Sequence, residues 1–159
     1  MRARRRTLLV GLTLVVFAVL TAFAQSPLEN FLGTWRLNVE KSKATPGPGP
    51  TTVNTRTYED RGGGVLRVTS RSLEGKVTNH YEVTPADGRY YPFRDGLTIA
   101  YTIVDPYTID FTFKEGGRLL TDRGGRQTFS TDGKTKTIVR KGINAQGQAT
   151  ITTLVYEKQ

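Results

Sequence analysis

Chemistry near neutral pH depends on a short list of side chains, and this chain of 159 residues carries few of them: one histidine, His80, and no cysteine. The lack of cysteine excludes a thiolate nucleophile, thiolate metal ligation and disulfides. His80 stands opposite in phase to Tyr81 in an alternating run, the position of an exposed strand histidine and not of a general base or metal ligand. There is no second histidine to complete a zinc pair, no Gly-x-Ser-x-Gly elbow, and no phosphate-cradling loop ahead of a helix. Arg61-Gly62-Gly63-Gly64 and Asp122-Arg123-Gly124-Gly125 are glycine-rich, but turn geometry accounts for both. The carboxylates are scattered and unpaired. The sequence predicts no catalytic residue, no metal site and no cofactor, and so a protein that is not an enzyme.

What remains is a capacity to bind. Asn79, Tyr81, Tyr101, Tyr107, Phe111 and Phe113 fall in one phase with Ile103 and Ile109, giving apolar walls with a few hydroxyls, and these six are the candidate ligand-binding residues. Either they line a cavity for a small apolar molecule or they pack as core. Tyr90-Tyr91-Pro92-Phe93 forms a second aromatic group, in which consecutive side chains point to opposite sides. Arg118, Arg123, Arg126, Lys134, Lys136, Arg140 and Lys141 cluster along the late sequence and suit a solvated face, or a contact with a protein or an anionic envelope surface. Without interleaved stacking aromatics they do not suit nucleic acid.

The elements that would position these residues are strands. Short segments rich in Val, Ile, Thr, Tyr and Phe are separated by turn signals such as Glu74-Gly75, Ala86-Asp87-Gly88, Arg94-Asp95-Gly96, Glu115-Gly116-Gly117 and Asp132-Gly133. Strands are expected near 33–40, 52–60, 64–73, 76–84, 89–93, 97–104, 107–114, 118–131, 135–142 and 149–157. Leu97, Ile99, Tyr101 and Ile103 alternate with Thr98, Ala100 and Thr102, so each strand has one wet and one dry face. That pattern predicts an all-β fold: an antiparallel up-and-down barrel of about 8–10 strands with little or no helix, closed on itself so that no edge is exposed. Gly124-Gly125, inside an overlong strand, marks a bulge. Lys41 to Thr51, rich in Pro and Gly, reads as a stiff loop between the first two strands.

Gly33-Thr34-Trp35, at the start of the first of these strands, resembles the Gly-x-Trp opening of lipocalins, fatty-acid-binding proteins and avidins, the calycin group of barrels. The resemblance implies structural roles for Gly33, which lets the chain turn into the barrel, and for Trp35, which plugs the closed end. Phe31 and the terminal run Leu154 to Gln159 look most like the fatty-acid-binding proteins. It is specific only over those two ends. Three family features are absent: the helical lid after the first strand, replaced by the Pro/Gly loop; the Arg of the terminal Arg-x-Tyr pair, which falls at Leu154 ahead of Tyr156; and the second lipocalin motif. A carboxylate clamp therefore does not transfer with the fold. The chain also resembles exported bacterial proteins with a lipocalin-like barrel.

The first 24 residues carry an address. Arg2, Arg4, Arg5 and Arg6 precede an apolar run from Leu8 to Ala24 that ends in Ala22-Phe23-Ala24, the order of a secretory signal peptide cut before Gln25. An uncleaved anchor is the alternative, since the 17-residue run is only a little short of the ~20 that span a bilayer. Residues 25–159 then form one barrel domain, secreted or periplasmic, with 19 basic residues against 14 acidic. The expected function is binding of a small apolar molecule without catalysis. The alternative is a macromolecule-binding barrel such as an exported enzyme inhibitor or envelope-associated protein.

Overall fold

Alternation of apolar and polar residues becomes ten antiparallel strands in the computed structural model, which describes residues 27–159. They are β1 (Gly33–Thr45), β2 (Thr55–Asp60), β3 (Leu66–Arg71), β4 (Val77–Val83), β5 (Tyr91–Pro92), β6 (Leu97–Asp105), β7 (Thr108–Glu115), β8 (Arg118–Phe129), β9 (Thr135–Ile143) and β10 (Ala149–Lys158). Two 3-10 turns, Pro27–Phe31 and Arg94–Gly96, complete the described elements. The proposed leader, residues 1–24, lies outside the described residues. Among the described residues no helix is long and apolar enough to cross a membrane.

The spatial order is β4-β3-β2-β1-β10-β9-β8-β7-β6-β5, so all sequence neighbours but β4 and β5 pair, and β1 joins β10. This is the expected meander with one correction: the sheet does not close, because β4 and β5 share no ladder. β5 has shrunk to two residues, where a strand over 89–93 was expected, and one of the two, Pro92, has no N–H to donate. Side chains span the gap instead, with ring centroids of Tyr81 and Phe93 6.3 Å apart and those of Phe93 and Phe113 5.6 Å apart.

Two bulges reshape the expected strands. β1 continues to Thr45, past its expected end near residue 40, because its register against β10 jumps from Asn38↔Val155 to Lys43↔Thr153. The Ser42 hydroxyl bridges the break: it donates to the Asn38 carbonyl at 2.7 Å and accepts the Val155 N–H at 2.9 Å. The Pro/Gly loop is correspondingly shorter, covering 46–54. In β8 the partner of Phe111 is Gly125 and that of Phe113 is Leu120, so residues 121–124 leave the ladder at the expected glycine pair. Gly124 has φ +112°, and a Cβ there would lie 2.7 Å from the Phe111 carbonyl oxygen, which is why only glycine fits.

Connections alternate between the two ends of the sheet, and one end is packed solid. Phe31, Trp35, Leu37, Tyr58, Val68, Ile109, Phe129, Leu154 and Tyr156 are buried in one cluster there. Trp35 is fully buried, and its indole N–H donates to the Phe31 carbonyl at 2.6 Å, as a buried indole requires. Phe31 sits edge-on to Phe129 at 4.8 Å.

Candidate ligand-binding site

Toward the other end the inward-facing rows change character. Tyr101 is buried, but Asn79, Tyr81, Phe111 and Phe113, on the same inner face, are only half-buried. Inward side chains that remain partly wetted line a hollow, whereas a filled barrel would bury them fully. The rings run in sequence across the open half, Tyr101 to Phe111 at 6.1 Å and Phe111 to Phe113 at 5.9 Å, then over the strand gap through Phe93 to Tyr81. At the gap a half-open cleft of about 330 Å3 is lined by Asn79, Tyr81, Glu82, Thr84, Phe93 and Arg94, among others. Five of the six expected residues thus come together. Tyr107 does not: it precedes β7 in the tight turn after Asp105 and is 40% exposed, because the ladder slips between Ile103 and Asp105 and breaks the phase.

The interior also holds cations. Lys136, Ile138 and Arg140 alternate with Thr137 and Val139, so both basic residues fall on the inward phase of β9, Lys136 buried and Arg140 exposed toward the open end. Arg56 and Tyr58 do the same from β2. Lys136 is fully buried, with its Nζ 2.9 Å from the Tyr58 hydroxyl and close to four rings: 4.0 Å from Tyr58, 4.9 Å from Trp35, 5.0 Å from Tyr156 and 5.5 Å from Phe31. Burial, and then the Arg56 charge, push its pKa well below the ordinary lysine value. The Arg56 guanidinium stacks 4.9 Å from the Tyr156 ring. Burial opposes its charge, but the Tyr81, Tyr156 and Tyr58 hydroxyls outweigh burial and hold its pKa above the ordinary value. Arg140 is pulled the other way, by burial and by Arg56, yet a guanidinium remains charged at any physiological pH. The groups acting on these three cations are tyrosines and other arginines, with no carboxylate among them.

Several buried polar atoms here have no partner: Arg56 Nε, the Tyr156 hydroxyl and Gln127 Oε1. A buried donor or acceptor left unmet costs ~1–3 kcal/mol, and more when it is charged. An anion carrying several acceptor oxygens answers the two donors in this set, Arg56 and Tyr156.

Of the expected outer basic patch, Lys136 is instead fully buried, while Arg140 falls on the inward phase of β9 but stays exposed. Arg126 is spent in a two-pronged ion pair with Asp110, at 2.7 and 2.9 Å, and Lys134 lies at the packed end, its carbonyl paired with Lys158. The expected patch is therefore reduced to Arg118, Arg123, Arg140 and Lys141, all exposed. A signal for the inward phase was present: Lys136 and Arg140 flank Ile138 at spacings of two, and Arg56 precedes Tyr58 at the same spacing. Composition hid it, since charged side chains are almost always outside. Among the described residues no group of three or more His, Asp or Glu could hold a metal ion.

No protein-family model matches this chain, and no curated protein matches it. Solved structures do match. The fluorescent protein UnaG aligns with TM-score 0.54 and 12% identity over 83% of this chain and 99% of its own. The fold is calycin-like. A Schistosoma mansoni fatty-acid-binding protein, in complex with arachidonic acid, gives TM-score 0.51 and 12% identity over 84% of this chain and 99% of its own. As-p18, an extracellular fatty-acid-binding protein, gives 0.51 and 16% over 85% and 100%. At such identities the likeness is one of fold, and it agrees with the Gly33-Thr34-Trp35 opening and the ten-strand order.

Proposed function

We propose that this barrel binds one small amphipathic anion without catalysing a reaction, as an exported protein released from the leader before Gln25. The apolar body of the ligand lies against Tyr81, Tyr101, Phe111 and Phe113, and its acidic end meets Arg56, Arg140 and the Tyr156 hydroxyl. The observation that carries this reading is the interior guanidinium of Arg56, with a buried, unpaired Nε and no carboxylate acting on it. A cation enclosed without a counter-ion is costly, and a bound anion removes that cost. The structural neighbours include fatty-acid-binding proteins, one of them holding arachidonic acid, itself an apolar acid. Of the clamp at the chain terminus these contacts keep only Tyr156; the cations come from β2 and β9 in place of the arginine that Leu154 replaces.

Titration with a fluorescent polyene fatty acid and with its methyl ester tests this reading. The acid should bind at one site, and the ester, which keeps the apolar body, at least tenfold more weakly. Arg56→Gln should cost about 1.5–3 kcal/mol for the acid, the worth of a charged hydrogen bond, and nothing for the ester. Phe111→Ala should weaken both. Equal affinity for acid and ester, or an Arg56→Gln variant that binds like the parent, would remove the proposal.

A further inference from the structure

The antiparallel order gathers the β3–β4, β7–β8 and β9–β10 hairpins and the Arg94–Gly96 turn at the end opposite Trp35, around the mouth of the hollow. Large apolar side chains are exposed on three of these hairpins: Leu73 at 62%, and Val77, Leu119 and Ile143 at 47% each. Every one has an exposed cation beside it in the chain. Arg71 and Lys76 bracket Leu73 and abut Val77, Arg118 precedes Leu119, and Lys141 lies two residues before Ile143. The acids at this end, Glu74, Asp95, Glu115 and Asp122, are outnumbered by these cations together with Arg94 and Arg123. The packed end differs: its exposed apolar residues Ile103, Val104 and Tyr107 surround Asp105, with no cation among residues 103–107.

We infer that the mouth of the barrel docks onto an anionic lipid bilayer. An apolar tip beside a cation is what a bilayer surface takes up: the tip enters the boundary between headgroups and acyl chains, and the neighbouring ammonium or guanidinium stays at the anionic headgroups. Three such tips on separate hairpins define a plane, so they hold the mouth against the membrane instead of tethering the protein at one point. The 103–107 turn carries an acid and no cation, which excludes it as the docking end; on the β3–β4 hairpin the acid next to Leu73, Glu74, is outnumbered by Arg71 and Lys76. Docking is independent of what the interior holds, but it would give an apolar ligand a path into the hollow that does not cross water.

The chain has no cysteine, so single labels can be placed cleanly. The full chain with Glu74→Cys at the mouth, or Thr131→Cys at the packed end, carries a polarity-sensitive fluorophore and is mixed with vesicles of equal parts phosphatidylglycerol and phosphatidylcholine. The mouth label should shift to the blue and the packed-end label should not. Pure phosphatidylcholine should give no shift at the mouth, and added salt should weaken the effect. Lys76→Gln with Arg118→Gln should lower the affinity read at the mouth label roughly 25-fold, about fivefold for each cation lost near an anionic surface. Leu73→Asp with Leu119→Asp should abolish the shift, while Val104→Asp leaves it intact. A blue shift at the packed end, a mouth label indifferent to lipid charge, or tip variants that behave like the parent would each overturn the inference. So would a soluble anionic polymer that gives the same blue shift, because polymer binding provides no apolar phase.

Discussion

Lys136 and Trp35 share one packed end and show opposite solutions to burying a polar group. Trp35 satisfies its single donor with the Phe31 carbonyl. Trp35→Ala should cost ~3–5 kcal/mol through the cavity it leaves, whereas Trp35→Phe should cost ~1–3 kcal/mol, largely for the orphaned carbonyl; denaturant unfolding separates the two. Lys136 has only the Tyr58 hydroxyl and the faces of four rings, so its pKa is driven down by burial and by Arg56. The unfolded chain therefore binds a proton that the native state lacks, over the window from the depressed native value up to the ordinary 10.5. Stability from this group rises with pH through that window and falls as pH drops, by up to ~1.4 kcal/mol per pH unit. In Lys136→Met that slope should vanish, which unfolding measured between pH 7 and 10 would reveal.

At the scale of elements, the β8 bulge and the β4–β5 gap decide the shape of the hollow. A Cβ on Gly125 would run into the Val139 carbonyl and lie 2.9 Å from the Phe111 ring, so Gly125→Ala should destabilise by more than ~2 kcal/mol and displace a ring of the proposed site. Gly133, in an open turn with φ +68°, has no atom within 4 Å of its built Cβ, and Gly133→Ala should cost only ~1–2 kcal/mol, for the left-handed backbone alone. Comparative unfolding of the two variants tests that contrast, and a small effect at Gly125 would contradict the described packing. Across the gap, Phe93 links Tyr81 to Phe113 where no ladder exists. Phe93→Ala should accelerate amide hydrogen exchange in β4 while leaving β10, paired on both sides, protected.

For the whole molecule, interior charge and outer surface point in one direction. The barrel is packed where Trp35 sits and hollow toward the other end, where Tyr101, Phe111 and Arg140 share a level, and the hollow opens between cationic, apolar-tipped hairpins. A ligand that binds only the native state should raise stability by ~2.7 kcal/mol at a hundredfold excess over its Kd. Thermal unfolding with a fatty acid should show that gain in the parent and lose it in Arg56→Gln. Should the gain survive that substitution, the acidic end of the ligand lies somewhere other than at Arg56.

Strand phase, turn residues and the Gly33-Thr34-Trp35 opening were sufficient to read an antiparallel ten-strand meander from the chain, because alternation of period two and glycine at positive φ are local requirements. The inward rows of Tyr81, Tyr101, Phe111 and Phe113 were legible for the same reason. Tyr107 was misplaced because a register slip depends on the partner strand, and the early end assigned to β1 reflects a bulge held by Ser42 and Val155, which are 113 residues apart. The inward basic residues could not be settled by sequence, since alternation offers Lys136 and Arg140 the side of Ile138 while the cost of burying a charge argues against it, and the two end differently, Lys136 buried and Arg140 exposed. Only the tertiary structure decides between them: it supplies the Tyr58 hydroxyl and the rings of Trp35, Tyr58 and Tyr156 that enclose Lys136, and the open end that leaves Arg140 exposed, and these come from elements that no local pattern links to β9.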